Sequence, residues 1–280
     1  ERGLYKTTNG GKSWNRVLGN DEWTGVTDIM IDPRNPRIIY AATWDRHRTV
    51  AALMGGGPGT AIYRSDDGGD NWTKLTNGLP KSNMGKIGIT ISPQNPDVVY
   101  AAIELDRTKG AVYRSEDRGA SWKKMSDTVS GGTGPHYYQE LYASPHKFDR
   151  LYLMNVRVLT SEDGGKTFVQ LKEQDKHSDN HAIVFKKDDP NYIMLGTDAG
   201  IYESFDLAET WRYMKNLPLT QFYKVAVNNA EPFYHIFGGT QDNGSAGGPS
   251  ATDERQGIAN KHWYKTLFAD GHQSATDPVY

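Results

Sequence analysis

The chain has 280 residues, 36% of them hydrophobic, and 32 basic against 34 acidic side chains. That supplies a sizeable core, and the balanced overall charge favours neither nucleic acid nor an anionic membrane surface. No apolar run approaches the roughly 20 residues that span a bilayer, so no membrane insertion is expected, and the absence of cysteine removes disulfides and thiolate metal sites.

In chain order, the first feature is the turn motif Thr7-Thr-Asn-Gly-Gly-Lys-Ser-Trp14. An alternating strand pattern runs from Trp23 to Pro33, a short apolar strand covers Arg37 to Thr43, and Ala61 to Ser65 leads into Ser65-Asp-Asp-Gly-Gly-Asp-Asn-Trp72. A last short strand follows, Trp72 to Leu75. The order then repeats. Proline-marked segments run from Met84 to Pro93, His136 to Pro145, His181 to Pro190, Gln221 to Pro232 and Ala269 to Pro278. The turn motif returns at Ser115 to Trp122, Ser161 to Phe168 and Ser204 to Trp211. Its aromatic position recurs after 58, 50, 46 and 43 residues, a spacing suited to propeller blades.

The motif, Ser/Thr-x-Asp/Asn-x-Gly-x-Ser/Thr-Trp, has the chemistry of a hairpin turn. Asp67 can accept N–H groups of its own turn, and Gly69 can adopt a left-handed conformation without steric cost. Trp72 is expected to pack its ring beneath the next blade, and the last motif, with Ala208 in place of glycine, should be strained. These segments resemble Asp boxes, also called BNR repeats, which occur in sialidases, sortilin-type receptors and xyloglucan-active endoglucanases. A turn repeated in every blade is scaffold rather than catalytic machinery.

The expected fold is therefore all-β: a β-propeller of four-stranded antiparallel blades with Asp-box turns. About six blades are represented. Residues 1–18 form an outer half-blade, 23–75, 84–125, 136–171, 177–215 and 220–264 full blades, and 268–280 the inner strand of a further blade. Joining the two end pieces would close a six-bladed ring; the alternative, favoured by ends that fall inside a repeat, is part of a larger propeller or a longer parent with further domains.

Asp-box turns mark one face. Ligand chemistry is then expected on the opposite face, where the loops entering the first strand and leaving the second converge. Those loops carry His136, Tyr138, His177, Asp179, His181, Asp198, Gln221, Tyr223, Gln241, Asp242, Asn243 and Asp270. In an extended strand His177, Asp179 and His181 would share a face and could hold a divalent metal, with Asp198, Asp242 or Asp270 completing or orienting the shell; hydrogen bonding to loop backbones is the bland alternative. Asp179, Asp198, Asp242 and Asp270 are also the candidates for paired-carboxylate glycoside hydrolysis. A sialidase triad is not supported, because no spacing gathers Arg46, Arg48 and Arg157. Residues 44–60 form a long insertion in which Trp44 and Arg48 could stack on a sugar or peptide, and the run Gly55-Gly-Gly57 reads as a flexible hinge. Residues 244–262 form a second insertion, rich in glycine, serine and charge.

The combination His-x-Asp-x-His, Asp-x-Gly, Gln-Phe-Tyr, Gln-Asp-Asn-Gly and Asp-Gly resembles the sortilin-like, "glycosyl hydrolase BNR repeat" propellers of long exported bacterial proteins. Asp198-Ala-Gly departs from the usual Asp-Gly-Gly, and Phe268-Ala precedes Asp270 where glycines are common. The resemblance implies a secreted, periplasmic or cell-surface module binding a peptide, protein or carbohydrate ligand. A glycosidase-type hydrolase is the alternative, and a purely structural propeller a third reading.

Overall fold

The computed structural model describes residues 2–19, 21–106, 108–131, 137–217 and 219–277. Among them every regular element is a strand, apart from one short 3-10 turn at Asn260–His262. Strands β1 (Leu4–Lys6) and β2 (Asn15–Leu18) form a hairpin around the first Asp box. The first four-stranded sheet is β3 (Thr24–Ile31), β4 (Ile39–Asp45), β7 (Ala61–Ser65) and β8 (Thr73–Leu75). A two-stranded ribbon, β5 (His47–Arg48) and β6 (Leu53–Met54), is inserted between β4 and β7. The second sheet is β9 (Ile87–Ile91), β10 (Val99–Asp106), β11 (Lys109–Ser115) and β12 (Lys123–Ser126). The third is β13 (Leu141–Ala143), β14 (Leu151–Leu153), β15 (Leu159–Ser161) and β16 (Val169–Gln170). The fourth is β17 (Asn180–Lys186), β18 (Asp189–Thr197), β19 (Gly200–Ser204) and β20 (Arg212–Tyr213). The fifth is β21 (Lys224–Val227), β22 (His235–Thr240), β23 (Gly244–Pro249) and β24 (Tyr264–Leu267). Each sheet is an antiparallel meander with its strands in chain order, the four-stranded blade of a propeller.

Two compact units divide the chain, residues 1–213 and 214–280. In the first, the buried apolar residues fall between successive sheets. Tyr40, Ala42 and Ile62 of the first sheet meet Ile87, Ile89 and Ile103 of the second. Tyr100, Ala102 and Val112 of the second meet Leu141, Leu151 and Leu153 of the third. Tyr152, Met154 and Val158 around the third meet Ile183, Ile193 and Leu195 of the fourth. The second strands, apolar on both faces, are thus the most deeply covered. The box aromatics pack in the opposite sense to the expectation. Trp122 lies with Tyr40, Ile62 and Leu79 of the preceding blade, and the Trp211 indole donates to the Lys172 carbonyl at 2.8 Å. The Trp122 and Trp211 rings thus close the seam behind their own turns rather than the one ahead.

Three further expectations change. Gly55-Gly-Gly57 is no hinge: Gly57 pairs with Met84, and a Cβ at Gly56 would meet the Met84 carbonyl at 2.5 Å and one at Gly57 the Asp45 carboxylate at 2.2 Å. The segment 244–262 is no simple loop, since its first third is strand β23; its glycines 247 and 248 lie under the rings of Phe237 and Trp263. Residues 268–277, expected as an inner strand, contain no strand in the structure. They run against the fifth sheet instead, where Gly271 N–H donates to the Thr240 carbonyl and Thr276 Oγ1 to that of Val227, both at 2.8 Å.

Candidate functional site

The Asp boxes are built as hydrogen-bonded scaffold. In the box after β7, Ser65 Oγ donates to Asp67 Oδ1 at 2.7 Å and accepts the Gly69 N–H at 2.8 Å. Asp67 Oδ1 also takes the N–H groups of Asp70 and Asn71. The same pattern returns around Asp117, Asp163 and Asp206, and Asn9 takes the part in the first box. Both oxygens of each of these carboxylates accept bonds from their own turn, the arrangement of a scaffold.

The opposite ends of the strands in residues 1–213 hold a polar cluster. Asp179 stands just before β17 with φ of 63°. It accepts the Tyr138 hydroxyl at 2.6 Å and the Ser178 hydroxyl. Its backbone carbonyl accepts the Asp198 N–H at 3.2 Å, so the loop after β18 is tied to the segment before β17. Burial pushes the Asp179 carboxyl up, but the Ser178 and Tyr138 hydroxyls and nearby His177 and His181 outweigh it, holding the group below the ordinary carboxylate range. His181 Nε2 lies 2.7 Å from Asp198 Oδ1. With Nε2–H donated to that carboxylate, Nδ1 of a neutral imidazole is the acceptor. The His181 ring stacks on Tyr138, with centroids 5.4 Å apart. One continuous set results: Asp198, His181, Tyr138, Asp179.

Beneath it lies a network the sequence reading missed. The ammonium of Lys176 and the carboxylate of Glu173 pair at 2.7 Å with both side chains fully buried. Asn180 bridges them, accepting from Lys176 and donating to Glu173 Oε1 at 2.9 Å and to the Val156 carbonyl at 3.0 Å. Glu173 Oε2 receives the Val158 N–H at 3.2 Å. Desolvation lowers the Lys176 pKa against the opposing pull of Glu173. These bonds fix the segment 173–180 that presents the cluster.

The expected metal triad is not assembled. The left-handed turn at Asp179 breaks the alternation that would have put His177, Asp179 and His181 on one face, and His177 Nδ1 turns to the Ser178 carbonyl at 2.9 Å. Among the described residues no three His, Asp or Glu side chains converge as a metal-ligand group. Trp44 is also displaced from its expected role. It is buried, bonded through its indole N–H to the Gly55 carbonyl at 2.7 Å and covered by the Arg46 guanidinium 5.2 Å from its ring. Arg48 lies in the β5–β6 ribbon, and Arg157 reaches the Glu173 carbonyl. His136 lies outside the described residues.

Residues 214–280 carry their own cluster. The Tyr223 hydroxyl donates to Gln241 Oε1, and its ring lies 5.4 Å from that of His272. The turn between β22 and β23 holds Gln241, Asp242 and Asn243, with Asp242 at φ of 58°. Asp270 Oδ1 accepts the Asp242 N–H at 2.8 Å and so caps that turn. Asn243 N–H returns to the Gln241 carbonyl at 2.7 Å. Gln221 is exposed beside them in sequence. His272 belongs to the same entering segment as Asp270, Ala269-Asp-Gly-His272, which the sequence places on this face.

The comparisons agree with this architecture. Residues 2–139 match the Sortilin-Vps10 family model, described as sortilin, neurotensin receptor 3. No curated protein sequence matches the chain. Among solved structures, the GH74 enzyme of Niastella koreensis superposes with a TM-score of 0.58 at 17% identity, over 95% of this chain and 42% of that one. The GH74 xyloglucanase of Xanthomonas campestris gives 0.51 at 19% identity, over 80% of this chain and 36% of its own. An ancestral GH74 enzyme gives 0.53 at 16%, over 94% and 36%. The chain thus spans about two fifths or less of these enzymes, and at such identities the likeness is one of fold. No helix among the described residues is long and apolar enough to cross a membrane. From box geometry, sheet order and comparisons together, the chain is an Asp-box, or BNR-repeat, β-propeller that resembles the sortilin-like and glycosyl hydrolase BNR-repeat propellers.

Proposed function

We propose that the chain is an exported binding module that holds a glycan or peptide at the strand-end clusters opposite its Asp boxes. The supporting observation is the Asp198–His181–Tyr138–Asp179 set, in which the partly exposed Asp198 and His181 are backed by the buried Tyr138 and stand on a buried ionic base. Its groups are carboxylates, an imidazole and a phenol rather than arginines, which favours a ligand rich in hydroxyl or ammonium donors. Calorimetric titration of the full chain against neutral polysaccharide fragments and cationic peptides is the test. Asp198→Asn and His181→Ala should each weaken binding about tenfold or more, with the thermal midpoint unchanged. Loss of neither affinity nor specificity in both variants would sink the reading.

A hydrolase is the second reading. It is favoured by the contact of His181 Nε2 with Asp198, which orients the imidazole, and by the carboxylates of Asp179 and Asp198 held on hydrogen-bonded backbone segments. The fold likeness to GH74 enzymes makes xyloglucan the first polysaccharide to test. Turnover abolished by Asp179→Asn would establish it; binding without consumption would return the first reading.

A further inference from the structure

One cleft lies outside both strand-end clusters, in the seam between the β1–β2 hairpin and the first sheet. It has a volume of about 460 Å³, and its walls include Val17 and Leu18 of β2, Asp21, Thr24 of β3, Tyr63 of β7 and Trp72. The next seam shows why this one is open. Seven residues after Trp72 stands Leu79, 6% exposed, which packs on Trp122 of the following box. The chain around it is tight. The Trp122 N–H donates to the Asn77 carbonyl at 3.0 Å, and a Cβ at Gly78 would collide with the Trp122 carbonyl. Seven residues after Trp14 the corresponding position is Asp21, an exposed carboxylate. The apolar plug is replaced by an acid, and Trp72 is only partly covered where Trp122 is buried.

We propose that this seam is a separate binding site, for one neutral pyranose residue of a glycan. Three polar groups meet there with bonding capacity left over. Asp21 Oδ1 accepts the N–H groups of Trp23 and Thr24 at 2.9 and 2.7 Å, which fixes the carboxylate and leaves Oδ2 open. Thr24 is 3% exposed, and its hydroxyl lies beside the Asp21 carboxylate, helping to hold it below the ordinary range, yet it finds no partner in hydrogen-bond geometry. A buried hydroxyl without a partner costs stability unless something else satisfies it. The Tyr63 hydroxyl bonds no other group among the described residues, and burial together with the Asp21 charge pushes its pKa up. The Trp72 ring is pinned at the wall by its indole N–H, which donates to the Gly69 carbonyl at 3.1 Å. The lining contains no basic side chain, so an anionic ligand finds no counter-charge, and its other carboxylate, Asp70, is already paired with Lys6 at 2.6 Å. A sugar ring has hydroxyls at its rim and apolar C–H groups on its faces. It can meet the acid, the two hydroxyls and an aromatic wall together, and the cleft is of the size that holds a small ligand.

Titration of the nitrogen-15-labelled full chain with methyl β-D-glucopyranoside, followed by NMR at the tryptophan indole N–H groups, tests this. The Trp72 signal is identified as the one missing from Trp72→Phe. It should shift and saturate in the millimolar range, while the Trp211 signal stays in place. Thr24→Val keeps the shape of the side chain and removes only a hydroxyl that the fold leaves unbonded. Its melting temperature should equal or exceed that of the wild type, while its dissociation constant for the glucoside rises about fivefold or more. Asp21→Leu supplies the plug that Leu79 forms in the next seam and should abolish the shift. Absence of a saturable shift at Trp72 overturns the proposal, and so does a shift that Thr24→Val and Asp21→Leu both retain in full. A Thr24→Val chain that melts well below the wild type also overturns it, because the hydroxyl would then serve the fold itself.

Discussion

Asp28 lies on β3, where its carboxylate accepts the Ile89 N–H from β9 at 2.8 Å and joins two blades. Burial raises its pKa from 3.8 to about 6, against the pull of the Ile89 and Ile29 N–H groups. Because the folded pKa lies above the unfolded one, the folded state keeps a proton that the unfolded state has lost. The contribution of Asp28 to stability is therefore greatest below 3.8 and declines as pH rises to about 6, by roughly 3 kcal/mol at most. Asp28→Asn keeps an acceptor for Ile89 and removes the charge. It should gain about 1–3 kcal/mol at pH 7 and almost nothing at pH 4, measured by urea unfolding at both. The box glycines provide a second residue-level contrast. Gly10 has φ of 70° with open space around a would-be Cβ, whereas Gly165 has φ of 90° and Val112 Cγ1 only 2.8 Å away. Gly10→Ala should cost about 1 kcal/mol and Gly165→Ala at least twice that, since it adds a clash to the backbone strain. Ala208 carries such strain natively, at φ of 71°.

At the scale of elements, the turns were legible because their chemistry is local. Ser65, Asp67 and Gly69 form a closed hydrogen-bonded unit within a few residues, and any chain with that spacing will form it. The side on which a box aromatic packs was not legible, because the neighbours of Trp122, Tyr40 and Leu79, come from another blade, which no local pattern specifies. Tyr223, Gln241, Asp242 and Asp270 could be grouped from their strand-end positions, and the structure brings them together. The His177 alignment failed on one dihedral, the positive φ of Asp179. Glu173 and Lys176 were invisible: Lys172-Glu-Gln-Asp-Lys176 reads as a solvated charge run, yet two of its members are fully buried. That network makes a sharp prediction. Lys176→Met alone should destabilise the chain by about 3–5 kcal/mol, because it leaves the Glu173 charge buried and unpaired. Lys176→Met with Glu173→Leu should cost clearly less than the sum of the two single changes in thermal unfolding. Additive losses would mean that the two groups do not act as a pair.

For the whole molecule, the distribution of buried apolar contact decides where stability resides. Among the described residues, the three buried apolar clusters lie in residues 1–213, each sealed between two sheets and closed by a box aromatic or its neighbours. The fifth sheet, in residues 214–280, has a different composition. Strand β24 is exposed throughout, β21 leaves Val225 and Val227 more than half exposed, and β23 is largely glycine and alanine packed under aromatic rings. Amides there sit in hydrogen-bonded ladders but beneath little apolar cover, so their opening exposes less surface and requires less free energy. Hydrogen exchange should follow that gradient. Amides of β4, β10 and β18, the second strands around Tyr40, Tyr100 and Leu195, should exchange only through global opening. Those of β21 and β24 should exchange at least about a hundredfold faster, a difference of roughly 3 kcal/mol in opening free energy. Mass-spectrometric exchange of the full chain resolves the two sets. Equal protection of β24 and β10 would show that the fifth sheet opens only with the rest of the chain, and that burial within its own sheet does not govern its stability.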